Sequence, residues 1–238
     1  MKENNKNNYV FFYVGDDISQ PEMLAESISI ADPTAEIIHC SDESTPVVEF
    51  VTQRCNFKSD RQRLMSSRLQ AFAELGLNEP AIYVDTDMLC MKAIAARTLT
   101  KDVKARFCVR EFNLDWSFNG NLGGLDFNEY DKKPLGEVYP YVACATATTD
   151  STVWRHLADL LEGLHPKFKL WYGDQEAIKR YCVSAGVDPK NGLPETIYGC
   201  LPEFKEFVGD CVLLHFKGQL RKSSMTEAFA TLKKKSQR

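Results

Sequence analysis

The 238-residue sequence predicts a single α/β domain built on a mostly parallel, mixed sheet that is flanked by helices. Two observations predict this class. Short apolar runs rich in β-branched and aromatic residues, such as Tyr9–Val14 and Ala81–Val84, indicate strands that are buried on both faces of a sheet. The first 40 residues also alternate strand, helix and strand, which is the order that produces a parallel sheet.

Composition narrows the classes of function. A hydrophobic content of 44% and a charged content of 26% are typical of an ordinary soluble domain, and the net charge of −4 argues against general nucleic-acid binding. No apolar run of the sequence is long enough for a transmembrane helix. The eight cysteines include no C-x-x-C pair, so we expect free, buried thiols in a reducing cytoplasm rather than a zinc ribbon.

The two ends of the chain differ in character from the rest. Residues 1–8 are polar, rich in Asn and Lys, and predict a disordered tail rather than a signal peptide. The domain is expected over 9–222, followed by a basic helix and tail over 223–238. From Lys217 to Arg238 there are seven basic residues and one acidic residue, a local charge of +6. This end is either a solvated tail or a contact with an anionic membrane surface, so we expect a cytoplasmic protein with peripheral membrane contact as the alternative.

The N-terminal half supplies the first elements in order. The strand Tyr9–Val14 stops at a Gly-Asp-Asp turn. Ser19 and Glu22 then have the spacing of a capping box, which predicts the start of a helix. Glu36–Cys40 is a second strand, and a helix over 60–75 is closed by Gly76.

The remaining predicted elements follow the same rules of periodicity and capping. They are, in order, strands at Ala81–Val84, 106–110 and 138–144, helices that begin at Asp150 and Trp171, a last buried strand at Cys211–Leu214, and a terminal helix that begins at a second capping box, Ser224 with Glu227.

Asp85 and Asp87 lie where the buried strand Ala81–Val84 leaves the core. Open α/β sheets bind ligands at the carboxyl ends of their strands, and two carboxylates spaced i, i+2 can share one hard divalent cation. His215 follows the last strand and should reach the same edge. Two carboxylates and an imidazole suit Mn²⁺ or a similar divalent ion. The alternative is an ordinary turn in which Asp bonds the backbone.

The loop after His215 is basic and contains a glycine. If a cation at the strand ends leaves positions open for a diphosphate, Gly218 lets the backbone approach that group closely. Lys217, Arg221 and Lys222 can neutralise its charge.

Four ordered motifs carry a resemblance to a known family. They are Val-Asp-Thr-Asp at 84–87, Arg68 at a difference of 17 upstream of Asp85, Gly-Asp-Gln-Glu at 173–176, and His-Phe-Lys-Gly at 215–218. Together they resemble the glycosyltransferases of the GT-A (nucleotide-diphospho-sugar transferase) fold, and glycosyltransferase family 8 in particular. The resemblance extends from about Tyr9 to Arg221.

The resemblance implies a metal-dependent glycosyltransferase, a hexosyltransferase-like enzyme using Mn²⁺ or Mg²⁺. It would move a sugar from a nucleotide-diphosphate donor, UDP-linked, to a hydroxyl of a glycan, lipid-linked or protein acceptor. Retention of the anomeric configuration and a role in cell-surface polysaccharide synthesis are also implied. The metal ligands would be Asp85, Asp87 and His215.

The resemblance also implies further roles. Gln175 would lie near the anomeric carbon and Asp174 would hold hydroxyls of the donor or the acceptor. The implied donor-binding residues are Val14, Asp16, Asp17, Arg68, Asp85, Thr86, Gly218 and Arg221.

The sequence departs from the family at two places. Arg221 begins Arg-Lys-Ser where the family has Lys-Pro-Trp. The stretch Tyr141–Ala145, which corresponds to the family's Asn-Ala-Gly-Val element, lacks the Asn. The second change leaves the identity of the sugar open, so the chain is expected to be a divergent member.

Simpler readings remain open for two residues and for the function. Arg68 could be a surface arginine, and Asp174 a helix N-cap. The chain could be a non-catalytic nucleotide-sugar-binding or polysaccharide-assembly protein. A phosphatase of the haloacid dehalogenase type, which also carries Asp-x-Asp after a strand, is a further alternative.

Overall fold

The computed structural model describes residues 6–117, 121–122, 125–126, 128–170 and 172–236. The first five residues of the predicted N-terminal tail, the predicted helix start at Trp171 and the last two residues lie outside this part of the chain. Asn8, the last residue of the predicted tail, is buried as the first residue of strand β1.

The strands of the described residues are short, as expected for buried strands. They are β1 (Asn8–Phe12), β2 (Glu36–Ser41), β3 (Gln53–Asn56), β4 (Ala81–Val84), β5 (Met88–Cys90), β6 (Ala105–Val109), β7 (Asn121–Leu122), β8 (Leu125–Asp126), β9 (Tyr141–Thr148), β10 (Leu193–Pro194) and β11 (Leu213–His215).

The helices lie between these strands. They are α1 (Ser19–Ala31), α2 (Leu64–Glu74), α3 (Ala96–Leu99), α4 (Leu135–Val138), α5 (Thr152–Glu162), α6 (Lys167–Leu170), α7 (Gly173–Ala185), α8 (Glu195–Tyr198), α9 (Lys205–Val208) and α10 (Gln219–Ser236).

Within the described ranges the main sheet has seven strands in the order β10-β6-β9-β4-β1-β2-β3. β9 runs antiparallel to both of its neighbours, and every other pair is parallel, which confirms a mostly parallel mixed sheet. After β1 the chain continues to β2 on one side of the sheet, and after β4 its later strands, β6, β9 and β10, lie on the other side. The carboxyl ends of β1 and β4 therefore form the switch point where open α/β sheets bind ligands.

Strand β4 at the centre of the sheet is apolar and buried throughout because both faces of the sheet are covered. On β4, Tyr83 points into a core with α2, α5 and α7, where it meets Phe72 and Trp154. Ile82 and Val84 point into the opposite core, built with α1. This alternation across the sheet explains why helices α2, α5 and α7 lie on one face and α1 on the other.

The last strand, β11, is not in the main sheet. This corrects the expectation that His215 follows a strand of the same sheet that carries Asp85 and Asp87. β11 pairs antiparallel with the three-residue strand β5, so that His215 lies opposite Met88. This small sheet packs with Phe216 and Met225 in a separate core beneath α10. His215 reaches the aspartates because β11 pairs with β5, which directly follows Asp87 in the chain. β11 and β4 do not belong to the same sheet.

Both predicted capping boxes are wrong. α1 begins at Ser19 without a side-chain cap, and the Ser19 N–H instead donates to the carboxylate of Asp17 at 3.1 Å. α10 begins at Gln219, five residues before Ser224, because the Gly218 turn (φ +83°) opens it directly. The Ser224 hydroxyl donates back to the carbonyl of Arg221 inside that helix.

The helix predicted over 60–75 is also shorter, since α2 begins at Leu64. Asp60 lies outside it, and its N–H and carbonyl meet the hydroxyl of Ser67. The predicted domain boundary between 222 and 223 falls within α10, which packs Met225 at 0% exposure and pairs Lys233 with Glu26 of α1 at 2.5 Å.

All eight cysteines are free, and all except Cys55 are buried, as predicted. Among the described helices, none is both long and apolar enough to cross a membrane.

Candidate active site

A cavity of about 580 Å³ opens at the carboxyl ends of β1 and β4. Its wall is made by 12–14 after β1, the start of α2, 85–87 after β4, 142–144 of β9, the start of α7 and the loop after β11. Another cavity of about 590 Å³ lies between α5 and α7 beside His156 and Tyr181, away from the strand ends. The first cavity is the candidate site because the sequence-predicted residues converge there.

Asp85, Asp87 and His215 form a cluster whose ligand atoms all lie within 4.8 Å of one another. The Asp85 N–H donates to the carbonyl of Cys144 at 2.9 Å, which fixes the end of β4. The Phe216 N–H donates to the carbonyl of Asp87 at 2.8 Å, and Nε2 of His215 lies 3.3 Å from Oδ1 of Asp87. The sequence-predicted ligands are therefore adjacent in space.

The donor set fits a divalent cation. Two carboxylates and one imidazole are oxygen and nitrogen ligands of the kind that Mn²⁺ accepts, and Mg²⁺ prefers the carboxylates. Among the described residues, no other group of three or more His, Cys, Asp or Glu side chains has this geometry.

His215 and Asp87 stabilise each other in their charged forms, as the shifts of their pKa values indicate. Burial lowers the pKa of His215, but hydrogen bonds to Asp87 and to the thiol of Cys144 outweigh it and raise the pKa to about 10. Burial raises the pKa of Asp87, yet the His215 hydrogen bond and the charges of His215 and Lys222 leave it below its ordinary value. A cation bound here would take the place of the His215 proton, since an imidazole must be neutral to ligate a metal.

Arg68 lies inside the site and is not a surface arginine. Its Nη2 lies 2.7 Å from Oδ1 of Asp85 and also donates to the carbonyl of Ala143 at 2.8 Å. Nη1 lies 3.3 Å from Oδ2 of Asp174. Arg68 thus ties the end of β4 to the start of α7.

Asp174 is not the N-cap of α7, although an N-cap was one reading of the sequence. It is the second residue of the helix, and the residue before the helix is Tyr172, at φ +56°. Gly173 makes this geometry feasible, since a Cβ there would lie 1.9 Å from the carbonyl oxygen of Phe168. Asp174 is consequently turned toward Arg68 and the cavity.

Gln175 lies beside Asp174 on the cavity wall. Its side-chain oxygen accepts a hydrogen bond of 2.7 Å from Nη2 of Arg110. The sequence analysis did not single out Arg110, which ends up 4% exposed just after β6.

The basic loop contributes differently from expectation. Gly218 and Lys222 line the cavity, and Lys222 lies 3.8 Å from Asp87. Arg221, predicted to bind the donor, points instead to Glu203 in a two-pronged ion pair and is absent from the cavity wall. Lys217 also lines the cavity, so Lys217 and Lys222 are the basic residues that this loop contributes to the site.

The other predicted donor contacts divide in the same way. Val14 and Thr86 line the cavity. Asp16 and Asp17 do not line the cavity. The Asp16 side chain is 89% exposed, and the Asp17 carboxylate accepts the Ser19 N–H.

Cys144 is a cavity residue with an unusual environment. Hydrogen bonds with Cys108 and His215 outweigh burial and lower its pKa to about 7, whereas the pKa of Cys108 is raised. A register shift between Phe107 and Cys108 in the pairing of β6 with β9 brings Cys144 there. Sequence reasoning noted only that Cys144 stood where the family differs.

The seven-strand, mostly parallel sheet flanked by helices is a GT-A-like fold. Three solved structures show this likeness. GlyE, a glycosyltransferase of Streptococcus pneumoniae TIGR4, superposes with a TM-score of 0.55 at 12% identity over 96% of this chain and 62% of its own. The bifunctional glycosyltransferase WbbM gives 0.57 at 11% identity over 97% of this chain and 50% of its own.

The galactosyltransferase LgtC, solved with donor and acceptor sugar analogs, gives a TM-score of 0.54 at 13% identity and covers 94% of this chain and 95% of its own. The chain therefore matches almost the full length of LgtC but less than two thirds of GlyE and WbbM. No protein-family model and no curated protein sequence matches the chain. At these identities the likeness establishes the fold.

Proposed function

We propose that the protein is a metal-dependent glycosyltransferase that moves a sugar from a nucleotide-diphosphate donor to a hydroxyl acceptor. The Asp85–Asp87–His215 cluster at the switch point is the observation that carries this proposal. It combines a ligand set for a divalent cation with a cavity of about 580 Å³, which is within the size range of small-molecule sites.

A divalent cation held by these three residues would supply positive charge to the donor's diphosphate. The chain adds its own charges around that position. Lys222 reaches the cluster from the Gly218 turn, and Arg68 lies against Asp85. Both groups can offset the negative charge that develops on a departing nucleoside diphosphate.

The donor sugar would lie next to the cluster, because it is covalently bound to the diphosphate that the metal ligands would hold. Asp174, joined to Asp85 through Arg68, and its neighbour Gln175 form the adjacent wall. We assign them to binding the donor sugar and the attacking hydroxyl, with Val14 and Thr86 on the nucleoside side.

The finer features of the proposal rest on the sequence resemblance to family 8. They are Mn²⁺ as the ion, a UDP-linked donor, retention of the anomeric configuration and a role in cell-surface glycan synthesis. LgtC was solved in complex with donor and acceptor sugar analogs, which supports the kind of ligand proposed here.

The proposal also includes the basic C-terminus as a contact with an anionic membrane surface. Lys234 and Lys235 are exposed in the last turns of α10. Sedimentation with vesicles that contain phosphatidylserine, compared for the wild type and Lys234→Gln/Lys235→Gln, tests this part independently of catalysis.

The activity is tested by incubating the protein with Mn²⁺ and a panel of UDP- and GDP-sugars and measuring released nucleoside diphosphate. Slow release from one donor is the expected result, because water can replace a missing acceptor. Binding of UDP with no turnover of any donor, with or without added glycan acceptors, would favour the non-catalytic alternative. Release of phosphate from simple monoesters would favour the phosphatase, which the fold does not support.

A further inference from the structure

Arg110 is a buried cation whose hydrogen-bond partners among the described residues are neutral groups. It is 4% exposed, its Nε donates to the carbonyl of Tyr139 at 2.7 Å, and its Nη2 donates to the side-chain oxygen of Gln175 at 2.7 Å. No carboxylate of the described residues lies within 4.0 Å of its guanidinium nitrogens. Buried charges are normally paired, so an arginine that has only neutral acceptors here needs an explanation.

The backbone around Arg110 is fixed on both sides. Its N–H donates to the carbonyl of Pro140 at 2.8 Å. The next two N–H groups, of Glu111 and Phe112, donate to one carboxylate oxygen of Glu195 at 2.7 and 2.9 Å. Glu195 is 1% exposed, so these bonds are shielded from water and the backbone from which the Arg110 side chain projects is held in place.

The contact with Arg110 determines which end of the Gln175 amide faces the cavity. An arginine has only donors, so the atom that it holds must be the amide oxygen. The amide nitrogen is then the atom that Arg110 does not hold, and no described residue accepts a hydrogen bond from it. Because Gln175 lines the cavity and its oxygen is already bonded, its N–H donors are the polar atoms left to meet a ligand there.

We infer that Arg110 is a positioning residue that holds Gln175 with its nitrogen toward the donor sugar, so that Gln175 binds a sugar oxygen as a hydrogen-bond donor. This rests on the proposed function of the site. The charge of Arg110 polarises the amide and strengthens its N–H donors. The oxygen of Gln175 is occupied, and it is therefore not the atom that faces the anomeric carbon.

The first experiment needs no turnover. The side-chain amide of Gln175 is identified in a ¹H–¹⁵N spectrum by its loss in Gln175→Met. The wild type should give a pair of resonances outside the cluster of freely rotating glutamines, and Arg110→Lys should return the pair to that cluster. Arg106→Lys is the matched control, because Arg106 lies on β6, which Arg110 directly follows, and donates to two neutral acceptors, the carbonyls of Leu99 and Asn191. It should leave the pair unchanged.

The second experiment is a double-mutant cycle on sugar transfer with a donor that the wild type uses. Gln175→Met should lower kcat about a hundredfold with little change in the KM for the donor, as for removal of one oriented donor. Arg110→Lys should lower kcat in the same way, and the double variant should be no slower than Gln175→Met alone. Gln175→Glu keeps the Arg110 contact but presents an oxygen, so it should be as slow as Gln175→Met.

Three results would overturn the inference: a wild-type amide pair within the mobile cluster, additive losses in the double variant, or full activity in Gln175→Glu. If the wild type transfers no sugar at all, the proposed function fails, while the spectrum of Arg110→Lys still decides how Gln175 is held.

Discussion

Nη2 of Arg68 lies 2.7 Å from Oδ1 of Asp85, so a fixed arginine charge touches one of the candidate metal ligands. Both side chains are largely shielded, at 12% and 26% exposure, which makes the contact stronger than a surface ion pair. The arginine and a cation would therefore act on the same carboxylate, and a diphosphate bound nearby would meet both charges.

The first prediction concerns this pair. Arg68→Gln should weaken UDP binding in the presence of Mn²⁺ by about tenfold to a hundredfold, as for loss of one charge-assisted hydrogen bond. Mn²⁺ binding alone should be unchanged or tighter, since Asp85 no longer shares its oxygen with a guanidinium. Calorimetric titration of each ligand measures the two effects. Arg61→Gln, at the exposed ion pair with Asp16, is the control. Parallel weakening of the metal and the nucleotide would show that Arg68 only supports the fold.

The second prediction separates two neighbouring basic residues. Lys222 faces the cluster, whereas Arg221 is paired with Glu203. Lys222→Gln should raise the Kd for UDP and Mn²⁺ by roughly three- to tenfold, the size expected of one partly exposed charge. Arg221→Gln should change it less than Lys222→Gln does. The opposite ranking would restore Arg221 as the donor-binding residue.

The third prediction concerns the glycine before Asp174. A methyl group on Gly173 would collide with the carbonyl of Phe168, so Gly173→Ala should lower the free energy of unfolding by about 2 kcal/mol or more. It should also displace Asp174 and Gln175 and abolish transfer. Gly209→Ala is the matched control, because no described atom lies within 4 Å of the added carbon and φ is −65°. Equal denaturation midpoints for the two variants would contradict the close approach.

The fourth prediction concerns pH. Burial raises the pKa of Asp42, but hydrogen bonds from the hydroxyls of Ser59, Thr45 and Ser44 and from the Thr45 N–H hold it well below its ordinary value. The folded state therefore favours the charged form. Its stabilisation is complete above the unfolded pKa of about 4 and is lost as the pH falls below it.

Asp42→Ala should accordingly lower the free energy of unfolding at pH 7 by about 1 kcal/mol, and the difference from the wild type should shrink below about pH 4. Urea denaturation at several pH values measures this difference. Glu43→Ala, on an exposed neighbour, is the control. A difference that grows on acidification would have the wrong sign. The loop matters to the site because the hydroxyl of Thr45 also accepts the Gly15 N–H at the end of β1.

Sequence patterns were sufficient for the parts of the site that follow long elements. Asp85 and Asp87 could be placed because a fully apolar run shows a strand buried on both faces, and its end is a ligand edge. His215 could be placed at the same edge from its position after the last buried strand, and the ordered motifs pointed to the same pairing. The physical contact depends on β5 and β11, which are three residues each and too short for a period to be recognised.

Side-chain partners far apart in the chain were not predictable. Arg110 and Gln175 are 65 residues apart, and an arginine after a strand gives no indication of which carbonyl it will meet. Arg221 was assigned to the diphosphate because of its charge and neighbours, but its guanidinium is paired with the carboxylate of Glu203, 18 residues earlier in the chain. Capping boxes failed for a local reason: Asp17 and the Gly218 turn start α1 and α10 without them.

The metal cluster is the central claim, and isothermal titration of UDP with and without Mn²⁺ tests it most directly. We compare the wild type with Asp87→Asn and with Asp16→Asn, whose side chain is 89% exposed and outside the cavity. The account predicts Mn²⁺-dependent UDP binding that is retained in Asp16→Asn and lost, by at least about a hundredfold, in Asp87→Asn. UDP binding that is equally tight without Mn²⁺, or unchanged in Asp87→Asn, would contradict it.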